Sequence, residues 1–268
     1  MAASTNPAFN NNPAFKENPT AEQLQALYDL PSANRAPERV MTVEDTVIKS
    51  FITFGAILVG AVIGWITLAT NPAIGATGVW VASIAAFVFA MIALFRKSPS
   101  PTMVLLYAVA QGFALGAISL VFESLYNGII LQAVIGTLAV VGVTLALFAS
   151  GKIRASAKAT KIFLIAFVGY FVYSIVNLFL MMFGAIPATQ SPWGLDGVQV
   201  FGIPLGIILA PVILLLGAYS LVLDFDMIQR GVANKAPAAF AWTGALSVSI
   251  TVVWLYMQIL RILAIARN

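Results

Sequence analysis

Apolar residues gather into seven long runs, at about 47–69, 79–95, 103–125, 129–150, 162–185, 203–225 and 242–266, separated by short polar or Pro/Gly-containing connections. A spanning helix needs about 20 mostly apolar residues, so the pattern predicts seven transmembrane helices. The second run is short, and the sixth contains Pro204 and Pro211, which predicts a kinked first half. The last run, Trp242 to Ala266, is the least uniform: Ser247, Thr251, Trp254, Gln258 and Arg261 recur at steps of four, three, four and three. At helical spacing these five share one face within an arc of roughly 80°. Hydroxyl, amide and guanidinium groups facing acyl chains are costly. The seventh helix is therefore expected to be wrapped by the others, its polar row turned toward protein or a wet cavity. The predicted fold is an all-α integral membrane bundle of seven helices.

Ahead of the first run, residues 1–40 are polar and carry a small repeat, Asn6-Pro7-Ala8-Phe9 and Asn12-Pro13-Ala14-Phe15. Their composition predicts a disordered cytoplasmic tail, the repeat being a docking motif on a second reading. Residues 41–268 then form the membrane domain. Thr42-Val43-Glu44-Asp45 reads as a helix start, with a capping hydroxyl and an acid three residues on. Small residues at four-residue spacing, Ala56, Gly60 and Gly64 and then Gly112 and Gly116, predict close helix packing.

Composition agrees with the pattern. Of 268 residues 60% are hydrophobic and 9% charged, where a soluble domain carries about a quarter charged residues. Continuous runs rather than short alternating segments exclude a membrane barrel. There is no histidine and no cysteine, which removes disulfides, Cys/His zinc sites, cysteine nucleophiles and histidine bases. No cleavable signal peptide is visible, because a long polar segment precedes the first apolar run. The net charge of +4 points to no nucleic-acid partner, since the cations lie between apolar runs. Arg96 and Lys97 follow the second run, Lys152, Arg154, Lys158 and Lys161 the fourth, and Arg230 and Lys235 the sixth, while the connections after the first, third and fifth have none. The positive-inside rule then sets the N-terminus in the cytoplasm and leaves Arg261 and Arg267 as exceptions on the outer side.

Four sets of polar residues are candidate sites. Glu123, sharing a face with Gly112, Gly116 and Ser119, lies at a predicted depth similar to Arg261, so an outer ion pair Glu123–Arg261 is expected, with a solvated interfacial Glu123 as the alternative. Asp224 and Asp226 close the sixth run in Leu223-Asp224-Phe225-Asp226. Two residues apart, they cannot share a face; one is expected to point inward as a proton- or cation-sensing acid, Asp224 being favoured, the other toward water or Arg230. The alternative is a solvated helix end, although acids at a helix C-terminus oppose its dipole. Ser247, Thr251 and Gln258 are candidate path-lining residues. On the fifth helix Tyr170, Tyr173, Ser174 and Asn177 form a second polar face, read first as interhelical hydrogen bonding and second as pore lining.

Several chemistries fall away. The seventh run has no lysine for a retinal Schiff base. The two late acids are neighbours on one segment, unlike an intramembrane aspartyl protease. A serine protease would lack its histidine, and no phosphate-binding glycine loop is present. No enzymatic activity, cofactor or resident metal is expected.

The phrases Leu223-Asp224-Phe225-Asp226, Gly244-Ala245-Leu246-Ser247 and Val253-Trp254-Leu255-Tyr256-Met257-Gln258-Ile259-Leu260-Arg261-Ile262-Leu263, together with Phe122-Glu123 and Tyr126-Asn127-Gly128-Ile129, resemble the Bax inhibitor-1/YccA family of multi-pass membrane proteins, in its bacterial, YccA-like branch. The resemblance runs from about residue 45 to the end. It implies six helices around a seventh and, for some members, a proton-sensitive calcium leak channel whose sensor is a buried acid pair on the sixth and seventh helices. Asp224 matches the first acid; ungapped alignment sets Thr251 at the second. Thr251 cannot ionise, and Asp226 would supply a charge from the wrong helix. Without like-charge repulsion in the pair, weaker or shifted pH dependence is expected. Other YccA-like members are implied to modulate a membrane-bound quality-control protease.

Two functions therefore stand. One is a cation leak, calcium or protons being the species concerned, in the cytoplasmic membrane of the cell. The other is a non-conducting modulator of a membrane protease or stress response. A coupled transporter is weaker, because seven spans do not divide into two equal repeats.

Overall fold

The computed structural model describes residues 39–96, 99–186 and 191–267. The predicted tail up to residue 38, with its Asn-Pro-Ala-Phe repeat, and Lys97 lie outside them. Seven helices follow in order: α1 Val43–Thr70, α2 Pro72–Phe95, α3 Pro101–Leu125, α4 Ile129–Ala149, α5 Ala157–Met182, α6 Leu205–Ala233 and α7 Ala241–Ala266. All seven are long and apolar enough to cross a membrane, so the protein is an all-α membrane protein.

Local chemistry sets the helix ends. The Thr42 hydroxyl accepts from the Asp45 amide at 3.1 Å and starts α1. Asn71 closes α1 through its own amide to the Thr67 carbonyl and opens α2 through its side chain, which accepts from the Ile74 amide. With Pro72 at the first helical position, α2 begins seven residues before the apolar run at 79; Asn71-Pro72 reads as a loop by composition, yet it is a cap followed by a residue pre-shaped for the first turn. Ser156 likewise caps α5 at Ala157, which places Lys158 and Lys161 in its first turns rather than in the loop. Pro204 precedes α6, in a two-residue hairpin strand (Ile203–Pro204) that pairs with Gln199–Val200, so only Pro211 lies within the helix. At the other end α6 continues to Ala233, past the apolar run ending at 225, because Met227, Ile228 and Val232 keep helical spacing through the charged turns.

The small-residue stripes join α1 to α3. A Cβ on Gly60 would meet the Val109 carbonyl, one on Gly64 the Phe113 carbonyl, one on Gly112 the Ile57 carbonyl and one on Gly116 the Ala61 carbonyl. The two backbones interlock where only hydrogen fits. The last helix has the largest buried share of any span, 56%, against 6% for α5. It also contributes to all three apolar clusters: Leu246 and Val253 with Ile57, Ala86 and Tyr107; Tyr256 and Leu260 with Ile129 and Ala133; Val248 and Leu255 with Leu221. Large apolar side chains on the other helices, such as Phe51, Trp80 and Leu131, are exposed on the outer surface, as expected where acyl chains replace water.

Candidate functional site

The hydrophilic face of α7 meets α6 at its first turns and α5 further along. On α6, Ser220 and Asp224 are one turn apart; on α7, Ser247 and Thr251 are one turn apart and face them. Ser247 Oγ donates to Asp224 Oδ1 at 2.5 Å and Thr251 Oγ1 to Asp224 Oδ2 at 2.7 Å. Ser220 Oγ lies 3.5 Å from Thr251 Oγ1. Asp224 is 7% exposed, and among the described residues it forms no ion pair. Two hydroxyls thus fill both oxygens of a buried carboxylate.

Asp226 points the other way and pairs with Arg230 at 2.7 Å, one turn on. Neither acid closes the helix: α6 runs on for two further turns, so the expected opposition to the helix dipole does not apply to them. The dipole's charge is confined to the last turn, where Arg230 sits.

Further along α7, Trp254 lies among the rings of Phe167 and Tyr170, at 6.3 and 6.2 Å between centroids. This aromatic layer separates Asp224 from the next polar group, Gln258, whose Oε1 accepts from the Tyr170 hydroxyl at 3.0 Å. Beyond it Tyr173 donates to Asp196 Oδ1 at 2.5 Å, and the other oxygen of Asp196 pairs with Arg261. Asp196 is 4% exposed. It lies in a short turn of 3₁₀ helix, Gly194–Gly197, between α5 and α6. Asn177 fixes that turn: its Oδ1 accepts from the Leu195 amide at 2.7 Å and its Nδ2 donates to the Trp193 carbonyl at 3.3 Å. Gly194, at φ +61°, allows the tight approach, since a Cβ there would strike Asn177. On α5, then, Tyr170, Tyr173 and Asn177 bond to another helix or to this connection, while Ser174 bonds back to the Tyr170 carbonyl.

The expected pair Glu123–Arg261 does not form. Glu123 instead accepts from the Gly128 amide at 2.6 Å and the Ile130 amide at 3.2 Å, joining the end of α3 to the start of α4. Unpaired amides at a helix N-terminus are a ready partner for an anion, and Arg261 has the nearer and more buried Asp196. Ser119, on the same face of α3, bonds to the Tyr256 hydroxyl at 2.8 Å. The other cation near this end of α7, Arg267, donates to the Asn127 carbonyl and to Gln132.

Asp196 is the site residue that sequence reasoning missed. The signal was present: it is the one acid between α5 and α6, and Arg261 is a cation inside an apolar helix on the side that carries few cations. Elsewhere, no group of three or more acidic side chains converges among the described residues. One clasped carboxylate is far short of the six to eight oxygens of a resident calcium cage.

Seven spanning helices, a buried acid on the sixth held by hydroxyls of the seventh, and a polar face along that seventh helix define a polytopic membrane protein with a buried carboxyl group between two of its spans. Residues 6–268 match the family described as Bax inhibitor 1 like, and the chain belongs to that family. No curated protein and no solved structure matches it.

Proposed function

We propose that the protein is a proton-sensitive cation leak of the Bax inhibitor-1 type, calcium being the conducted ion and Asp224 the acid that takes up the proton. The observation that carries this is the hydroxyl clasp. A carboxylate paired with lysine or arginine is fixed by charge, whereas hydroxyls both donate and accept. When Asp224 takes a proton, one of its oxygens becomes a donor, and Ser247 or Thr251 must turn to accept from it. The Thr251 hydroxyl then has Ser220 as its other partner. Protonation therefore rearranges the α6–α7 contact without leaving a buried charge unpaired.

In this reading six helices surround α7. Contacts of its clusters with α1, α3, α4 and α6 support that arrangement, as do Phe167 and Tyr170 of α5 against Trp254. The rings around Trp254 are the constriction, and the Asp196–Arg261–Tyr173 cluster holds the outer end. The N-terminus is cytoplasmic on the strength of the cation-bearing connections, and the membrane is that of the cell, as the resemblance to the YccA-like branch implies. Thr251 stands where family resemblance sets a second acid, and it touches Asp224; a one-acid sensor is expected to respond to pH less steeply than a pair. No catalytic step is assigned to any residue.

The test is calcium flux into proteoliposomes across a pH series, wild type against Asp224→Asn. Wild-type flux that follows pH, and flux in Asp224→Asn that does not, is the expected result. Absence of wild-type flux at every pH would eliminate the leak and leave the non-conducting protease or stress-response modulator as the function.

A further inference from the structure

A groove of about 240 Å³ opens on the bundle surface between α1 and α4, floored by α6 and α7. Its walls include Val47 and Phe51 of α1, Val141 and Leu145 of α4 and Phe225 of α6. Val47, Phe51 and Leu145 are also exposed, at 46%, 72% and 48%. The groove therefore faces outward from a surface made of membrane-spanning helices, where acyl chains are the solvent.

Its mouth is polar and cationic. Gln229 lines the groove, and its Oε1 accepts from Arg154 Nη1 at 3.2 Å. The Arg154 guanidinium lies over the Phe148 ring, 5.7 Å from its centre. That leaves four of its five N–H donors on an exposed side chain that has no ion pair among the described residues. Lys152 is exposed in the same connection, and Lys158 is exposed in the first turn of α5. Of the acids at this end, Asp45 is held by Lys49 and Asp226 by Arg230, which leaves Glu44 as the exposed carboxylate without an ion pair among the described residues.

We infer that this groove is a binding site for an anionic phospholipid, one acyl chain lying between α1 and α4 and the phosphate on Arg154. Charge complementarity at the mouth and apolar walls below it match the two ends of that molecule. A basic side chain near a membrane surface contributes about 1 kcal/mol toward anionic lipid. The inference does not depend on conduction. It assigns to Arg154 a role that no ion pair within the described protein supplies.

The test is native mass spectrometry of the full-length protein released from nanodiscs of mixed phosphatidylglycerol and phosphatidylcholine. The expected result is one retained phosphatidylglycerol per chain, bound at least about fivefold more tightly than phosphatidylcholine, the factor that 1 kcal/mol represents. Arg154→Gln should remove that preference, Arg154→Lys should keep most of it, and Leu145→Trp, which fills the groove, should abolish retention of either lipid. Equal retention of both lipids by the wild type, or unchanged retention in Leu145→Trp, overturns the inference. So does a dimer that Leu145→Trp dissociates without any lipid adduct, which would give the groove to a second copy. A glycerol phosphate headgroup without chains that stabilises the protein as much as the whole lipid overturns it as well.

Discussion

Arg261→Ala is the substitution whose cost the geometry sets most clearly. It leaves the Asp196 carboxylate, with a side chain only 6% exposed, holding a single hydrogen bond from Tyr173. Removing one partner of a buried pair costs about 3–5 kcal/mol, and exposed pairs contribute about 1 or less. The Arg261 side chain is 28% exposed, so the expected loss is about 2–3 kcal/mol. Asp196→Asn should cost less, about 1–2 kcal/mol, because an amide oxygen still accepts from Tyr173 and the orphaned cation is the better solvated partner. Combined, the two changes should cost less than their sum, with a coupling of at least about 1 kcal/mol. The parallel cycle between Arg261 and Glu123 should be additive within about 0.5 kcal/mol, since Glu123 is held by the Gly128 and Ile130 amides. Reversible unfolding of the full-length protein in lipid bicelles, followed by steric trapping, measures all of these. Coupling to Glu123 larger than coupling to Asp196, or a loss below about 0.5 kcal/mol for Arg261→Ala, would refute the assignment.

Three further outcomes follow from the same geometry. Gly116→Leu should destabilise by about 2 kcal/mol or more in the same unfolding assay, because its side chain enters the Ala61 backbone, whereas Gly142→Ala, which meets nothing, should be neutral or slightly stabilising. Thr251→Asp sets a second carboxyl against Asp224, so the pH profile of calcium flux should steepen or move by about one unit or more; a profile identical to the wild type contradicts the sensor assignment. The chain has no cysteine, so single cysteines at Lys152 and Phe201 report topology directly: membrane-impermeant maleimide should label Phe201→Cys in intact cells and Lys152→Cys only after permeabilisation, and the reverse pattern inverts the orientation.

How far the chain could be read depended on whether a feature is local. Each apolar run reports one helix, because a span must satisfy its own backbone hydrogen bonds and cover itself in apolar side chains. The face shared by Ser247, Thr251, Gln258 and Arg261 was legible for the same reason: it needs only helical spacing. Partners were not legible from spacing. Depth and sign suggested Glu123 for Arg261, but a carboxylate at a turn can be satisfied by amides, which carry no signature in composition. Asp196 reaches Arg261 only because Asn177 and Gly194 fold the connection back onto the helix ends. The apolar pattern also misplaced ends that depend on caps: Asn71-Pro72 opens α2 well before its run, and α6 outlasts its run by two turns, which places Asp224 within the helix rather than at its edge.

Under the proposed function, Asp224 is the group whose proton state changes within the bundle. Infrared difference spectra between two pH values, on full-length protein in lipid vesicles, read that directly in the carboxyl stretching band. The expected result is a band in the wild type that is absent from Asp224→Asn and displaced in Ser247→Ala and Thr251→Ala, each of which removes one of its hydrogen bonds. An identical set of carboxyl bands in wild type and Asp224→Asn would contradict it.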